Sequence, residues 1–132
     1  MKSKLILLAV TSLLFVSCKN NTINTHTYSE ENLQIEVCGE TSPEWLINEI
    51  NGIVDRVEHY RPVQVFSTNY EDTEYIIVVD MVNSAVSGSF RVFLCSGNSV
   101  QYGTDTYDTL YHMYFENREN FIFLWSNSNV NQ

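Results

Sequence analysis

Five consecutive apolar residues, Tyr75-Ile76-Ile77-Val78-Val79, constrain this chain more than any other stretch. Most are β-branched, and branched side chains suit the pleated surface of a strand. A strand with one face in water alternates apolar and polar residues, whereas a strand buried on both faces does not. The run therefore predicts a central strand over 74–82 with a helix covering one side. The period-two segment 63–70 predicts its neighbour, joined through the tight connection Glu71-Asp72-Thr73. Residues 83–89 read as a loop. A third strand is expected over 90–95, and Ser96-Gly97-Asn98 as a three-residue hairpin turn into 99–102.

Around this sheet the period changes. Leu33, Ile35 and Val37 alternate with Gln34 and Glu36, which predicts a short strand leading into Cys38. Residues 39–42 turn the chain. A helix should then start with Ser42 as its cap, Pro43 at the first helical position and Glu44 in the first turn. Thr41-Ser42-Pro43-Glu44 also scans as a capping box. Leu46, Ile50, Ile53, Val54 and Val57 recur at helical spacing, with Glu49, Asp55 and Glu58 among the outward positions. Gly52 costs this helix about 1 kcal/mol relative to alanine, and Pro62 ends it by about Tyr60.

The segment 107–115 fits two readings. Tyr107, Leu110, Tyr111, Tyr114 and Phe115 match a helix that Thr104 or Asp105 could cap, and the helix is preferred. The same residues alternate, and their Tyr and Thr content suits a strand. Residues 121–125 read as a final, largely buried strand. The expected fold is one α+β domain over 33–125. An antiparallel sheet of four to five strands packs against one main helix (about 43–58), with a short second helix if 107–115 is helical. A more closed small barrel is the alternative, and no internal repeat is apparent.

The N-terminus reads as an address. Lys2 and Lys4 precede an apolar run over 5–16 and then Ser17-Cys18, the pattern of a secretory signal. The run is too short for a spanning helix, which needs roughly 20 apolar residues. Residues 1–17 are thus expected to be a signal peptide. Cys18, the lipidation site, would become the first mature residue and carry the lipid, palmitate included. The polar segment 19–32 lacks hydrophobic periodicity and reads as a tether spanning roughly 20 Å, and 126–132 reads as a frayed polar tail.

Charge excludes some partners. The chain holds 16 acids against 7 lysines and arginines. Removal of the signal leaves five basic residues and a net charge of about −11 by side-chain count. Nucleic acid is disfavoured, because phosphate binding needs a basic stripe. Attraction to anionic lipid is disfavoured likewise, so the membrane would be reached through the lipid on Cys18. With Cys18 acylated, Cys38 and Cys95 remain as an even pair, read first as a structural disulfide, then as two buried thiols, and last as a redox pair. Neither has zinc-like spacing, so no metal is expected.

Catalytic signatures are sparse. His26 lies in the tether, and His59 suits the C-terminal carbonyls of the first helix. His112 reads as a surface or boundary residue, and no spacing supplies further ligands to a His59/His112 metal site. There is no Gly-x-Ser-x-Gly, phosphate-cradling loop or dinucleotide fingerprint, so no cofactor is implied. Ser87-Gly88-Ser89 and Ser96-Gly97-Asn98 are turn chemistry. Asp80 interrupts an apolar strand, and Arg91 is its expected mate. Tyr102, Tyr107, Tyr111 and Tyr114 cluster after the hairpin. Tyrosine joins an apolar body to a polar tip, which suits either a contact surface for proteins or sugars, or core and rim packing in a small sheet protein.

Phe15-Val16-Ser17-Cys18, Pro43-Glu44-Trp45-Leu46, the Tyr75 strand and the Leu94-Cys95-Ser96-Gly97 turn together resemble a loose group. These are small lipoproteins of unknown function from Gram-negative gut bacteria. The resemblance implies a place in the cell envelope, at the outer membrane, with periplasmic and surface faces both open. The expected function is a non-enzymatic binding or accessory module with an unknown protein or glycan partner. An inhibitor module is the rival, and a small enzyme is third. An exposed aromatic patch would favour binding, a protruding hairpin around Gly97 an inhibitor, and a cleft with strongly perturbed acids an enzyme.

Overall fold

In the computed structural model, the residues described are 27–55, 62–81 and 89–128. Two short strands, β1 (Glu36–Val37) and β2 (Glu40–Thr41), precede helix α1 (Glu44–Val54). Strands β3 (Val63–Tyr70), β4 (Thr73–Asp80) and β5 (Phe90–Leu94) follow. Helix α2 (Asp105–Glu116), a 3-10 turn (Arg118–Asn120) and β6 (Ile122–Ser126) complete the order. β1 pairs with β2, and the main sheet runs β5-β4-β3-β6 with every pair antiparallel, an α+β fold.

β3 and β4 pair over their full eight residues through a two-residue turn. Glu71 and Asp72 both take positive φ, 49° and 59°. That twist matches the twist of the flanking strands, which is why hairpins favour such turns. β4 is central, as its apolar run requires, and helices cover it on both faces rather than one. Ile76 and Val78 belong to a core formed with Leu46, Ile47, Ile50 and Ile53 of α1 and with Leu33, Ile35 and Val37. Tyr75, Ile77 and Val79 belong to a second core with Tyr107, Leu110 and Tyr114 of α2. A five-residue apolar run has two faces to cover, and two amphipathic helices supply the cover. Val57, expected on the apolar stripe of α1, lies outside the described residues, as do His26, His59, the signal peptide and Cys18.

Several expectations need correction. Ser42 does not cap α1; Pro43 holds the cap position and makes no side-chain cap bond. Ser42 sits at φ 47°, with its hydroxyl turned back to donate to the Leu33 carbonyl and to accept from the Ile35 N–H at 3.1 Å. The hydroxyl fastens the approach to β1 instead of the helix start. β6 is not largely buried, since Ile122 and Phe123 are 62% and 43% exposed. It is the outermost strand, and its register on β3 slips between Val65 and Phe66. The slip leaves Leu124 as an extra residue, so Leu124 and Trp125 both pack on the α1 side. The 99–102 strand shrinks to a single bridge between Phe93 and Ser99.

The ends of the domain are also more ordered than their polarity suggests. The tether reading fails at Tyr28, which exchanges hydrogen bonds with the Asn51 side chain and sets its ring edge-on to Trp125 at 5.2 Å. At the other end the Asn127 side chain accepts from the Val63 N–H at 2.7 Å, and Ser126 and Ser128 bond to each other. These ends are held by hydrogen bonds between side chains and backbone groups, with the Tyr28 ring adding an apolar contact.

Candidate functional site

Beyond the outer edge of β5 the two helix layers part, leaving a cavity of about 570 Å³. α1 contributes Glu49, β5 contributes Phe90 to Phe93, the hairpin contributes Gly97, Ser99 and Val100, and Tyr102 and Tyr107 close the other side. That volume lies within the range of small-molecule sites.

Each wall has a local cause. Alternation along β5 sends Arg91 and Phe93 toward α1, and Phe90 and Val92 toward α2. Arg91 forms an ion pair with Glu49, both side chains being about three-quarters withdrawn from water. This corrects the expected Asp80–Arg91 pair. Asp80 ends β4 opposite Val63 and is buried, while Arg91 lies opposite Val78. The hairpin turn is pinned from below, because Gly97 takes φ 83° with Trp45 directly beneath it. A Cβ at Gly97 would fall 2.5 Å from Trp45 Cγ, so only glycine fits.

A disulfide fixes the same turn from the side. Cys38 in the β1–β2 turn is bonded to Cys95 just after β5, with Cα atoms 5.7 Å apart. Glu74 lies beside it, and the donor atoms of Cys38, Cys95 and Glu74 fall within 4.8 Å of one another. Sulfurs joined to each other carry no thiolate charge, so the oxidised group is not a metal site.

The tyrosines separate into two kinds. Tyr107 and Tyr114 are buried against the sheet, Tyr111 is half-buried and Tyr102 is 72% exposed. The four therefore do not form one binding surface. Thr104 caps α2 by accepting from the Tyr107 N–H, which sets Tyr107 facing β5. Its hydroxyl donates to the Phe90 carbonyl at 2.6 Å. Burial first, then the neighbouring Tyr111, Tyr102 and Asp108, push its pKa up to about 12, so the hydroxyl keeps its proton. Tyr102 stands edge-on to the Tyr107 ring at 5.3 Å, which fixes an exposed aromatic face at the cavity mouth. His112 is exposed on α2 with Nδ1 3.7 Å from Glu116 and takes no part in the cavity.

Sequence reasoning named Tyr102, Tyr107 and Arg91 but missed Glu49 and Ser99. Glu49 reads as one more outward acid on α1, and its partner lies 42 residues away. Among the described residues, no helix is long and apolar enough to cross a membrane. Comparison of the chain with protein-family models, curated proteins and solved structures finds no match.

Proposed function

We propose that this chain is a lipid-anchored protein of the cell envelope, held at the outer membrane through Cys18. Its domain would work as a non-enzymatic binding or accessory module through the cavity beside β5. The anchoring half rests on residues 1–18 and on the resemblance to small envelope lipoproteins. The binding half rests on one observation: a cavity whose walls are fixed by a disulfide, a glycine contact and a capped helix, with an exposed tyrosine at its mouth. Preformed walls reduce the ordering cost of binding. Glu49, the acid among the described lining residues, is paired with Arg91. The inhibitor reading asks for a protruding hairpin, and the Gly97 turn instead lies down on Trp45.

Two measurements test the proposal. Cys18→Ala should release the protein from the membrane fraction or leave it uncleaved; membrane retention after cleavage before residue 18 would refute anchoring. Purified protein should bind isolated envelope material, and Tyr102→Ala should weaken that binding. Equal binding by the variant would remove the cavity from the function.

A further inference from the structure

We infer that the cavity beside β5 is a site for a neutral saccharide, an inference that rests on the binding-module reading above. Charge narrows the ligand first. Arg91, the cation among the described lining residues, is already paired with Glu49, and the chain as a whole carries a net charge of −9. An anion would meet a repulsive field with no spare cation among the described lining residues, and a cation would meet a carboxylate already compensated. A neutral ligand suffers neither penalty.

Hydrogen-bonding chemistry narrows it further. The Glu49 carboxylate accepts and the Arg91 guanidinium donates, side by side and partly open to the cavity. Adjacent hydroxyls on a sugar ring both donate and accept, so a vicinal diol can bridge such a pair. The Ser99 hydroxyl extends the polar strip. On the α2 side, the Tyr102 ring, edge-on to Tyr107, offers an exposed apolar plane of the kind that packs against the C–H face of a pyranose. Polar groups on one side and an aromatic plane on the other match a ligand with hydroxyl edges and a carbon face.

The rival occupant, an extended peptide adding to the sheet, finds much of the edge of β5 already engaged. The Leu94 N–H bonds the Asn98 carbonyl, the Val92 carbonyl accepts from Val100, and the Phe90 carbonyl accepts from Tyr107. Strand addition needs those groups free.

The test is titration calorimetry of the detergent-solubilised full chain with chitotriose, cellotriose and maltotriose, and with an uncharged extended hexapeptide. A Trp125→Phe form supplies a second readout. It leaves Trp45, whose ring lies 5.3 Å from Phe93 in the cavity wall, as the lone tryptophan. At least one trisaccharide should bind and quench Trp45. Tyr102→Ala should weaken it by about tenfold or more, Tyr102→Phe should retain it, and Glu49→Gln should weaken it. Tyr102 is mostly exposed, so circular dichroism of its variants should match the parent. Failure of all three sugars at millimolar concentration, or binding indifferent to Tyr102→Ala, overturns the saccharide assignment. Tyr102-dependent binding of the hexapeptide alone would also overturn it while leaving the binding-module reading intact.

Discussion

Tyr107 and Tyr114 lie seven residues apart on the sheet-facing side of α2, and each must bury a phenol. Tyr107 satisfies its hydroxyl with the Phe90 carbonyl. The Tyr114 hydroxyl is buried and finds no hydrogen-bond partner among the described residues, although Arg118 lies over its ring at 4.5 Å. Burial raises the Tyr114 pKa, with Arg118 pulling the other way, so this hydroxyl too stays protonated. An unpaired buried donor costs the desolvation it never recovers. Tyr114→Phe is therefore expected to leave stability unchanged or raise it by about 1 kcal/mol. Tyr107→Phe orphans the Phe90 carbonyl and is expected to cost about 1–3 kcal/mol. Urea unfolding of the two variants separates the cases. Two tyrosines on one helical stripe look alike in sequence; the difference lies in what β5 places opposite each hydroxyl.

At the scale of elements, α1 is held by its apolar stripe and not by its cap. Leu46, Ile50 and Ile53 are almost wholly buried, and no side chain caps the helix N-terminus. Ile50→Ala is expected to cost about 2–5 kcal/mol as a core truncation, read from chemical denaturation midpoints at constant slope. The elements legible in the sequence were those specified locally. The hairpin was legible from the alternation over 63–70 and the apolar run after it, expected over 74–82 behind a three-residue connection. The structure starts the second strand at Thr73 and ends it at Asp80, leaving a two-residue turn. The segment 107–115 fitted helix and strand alike in sequence; the structure makes it helical, with Thr104 rather than Asp105 as the cap. What stayed illegible depended on distant partners. Ser42 has the credentials of a cap, yet Leu33 and Ile35 claim its hydroxyl. Residues 121–125 look buried by composition, but their exposure is decided by an outermost place in the strand order. Of the cavity, Arg91 and the tyrosines could be named from sequence. Their assembly with Glu49 could not, because it depends on α1 crossing the same end of the sheet as β5.

For the whole molecule, the Cys38–Cys95 bridge spans 57 residues and joins the first hairpin to the wall of the cavity. Closing a loop of that length restricts the unfolded chain, an effect of about 4 kcal/mol in the chain-entropy account. Reduction should therefore lower the thermal midpoint by roughly 15–30 °C. Melts with and without reductant, paired with the 2 Da mass difference of the bridged form, check this. The two margins of the sheet carry a consequence of another kind. A lipid anchor of the kind proposed confines copies to a plane, where encounters are frequent and unpaired strand margins invite fibril-like stacking. One margin of this sheet is occupied by the chain's own returning hairpin and the Tyr107 hydroxyl, and the other is bent by the extra residue Leu124. With both sides blunted and a strongly acidic surface adding mutual repulsion, crowding on a membrane would leave neighbouring copies separate.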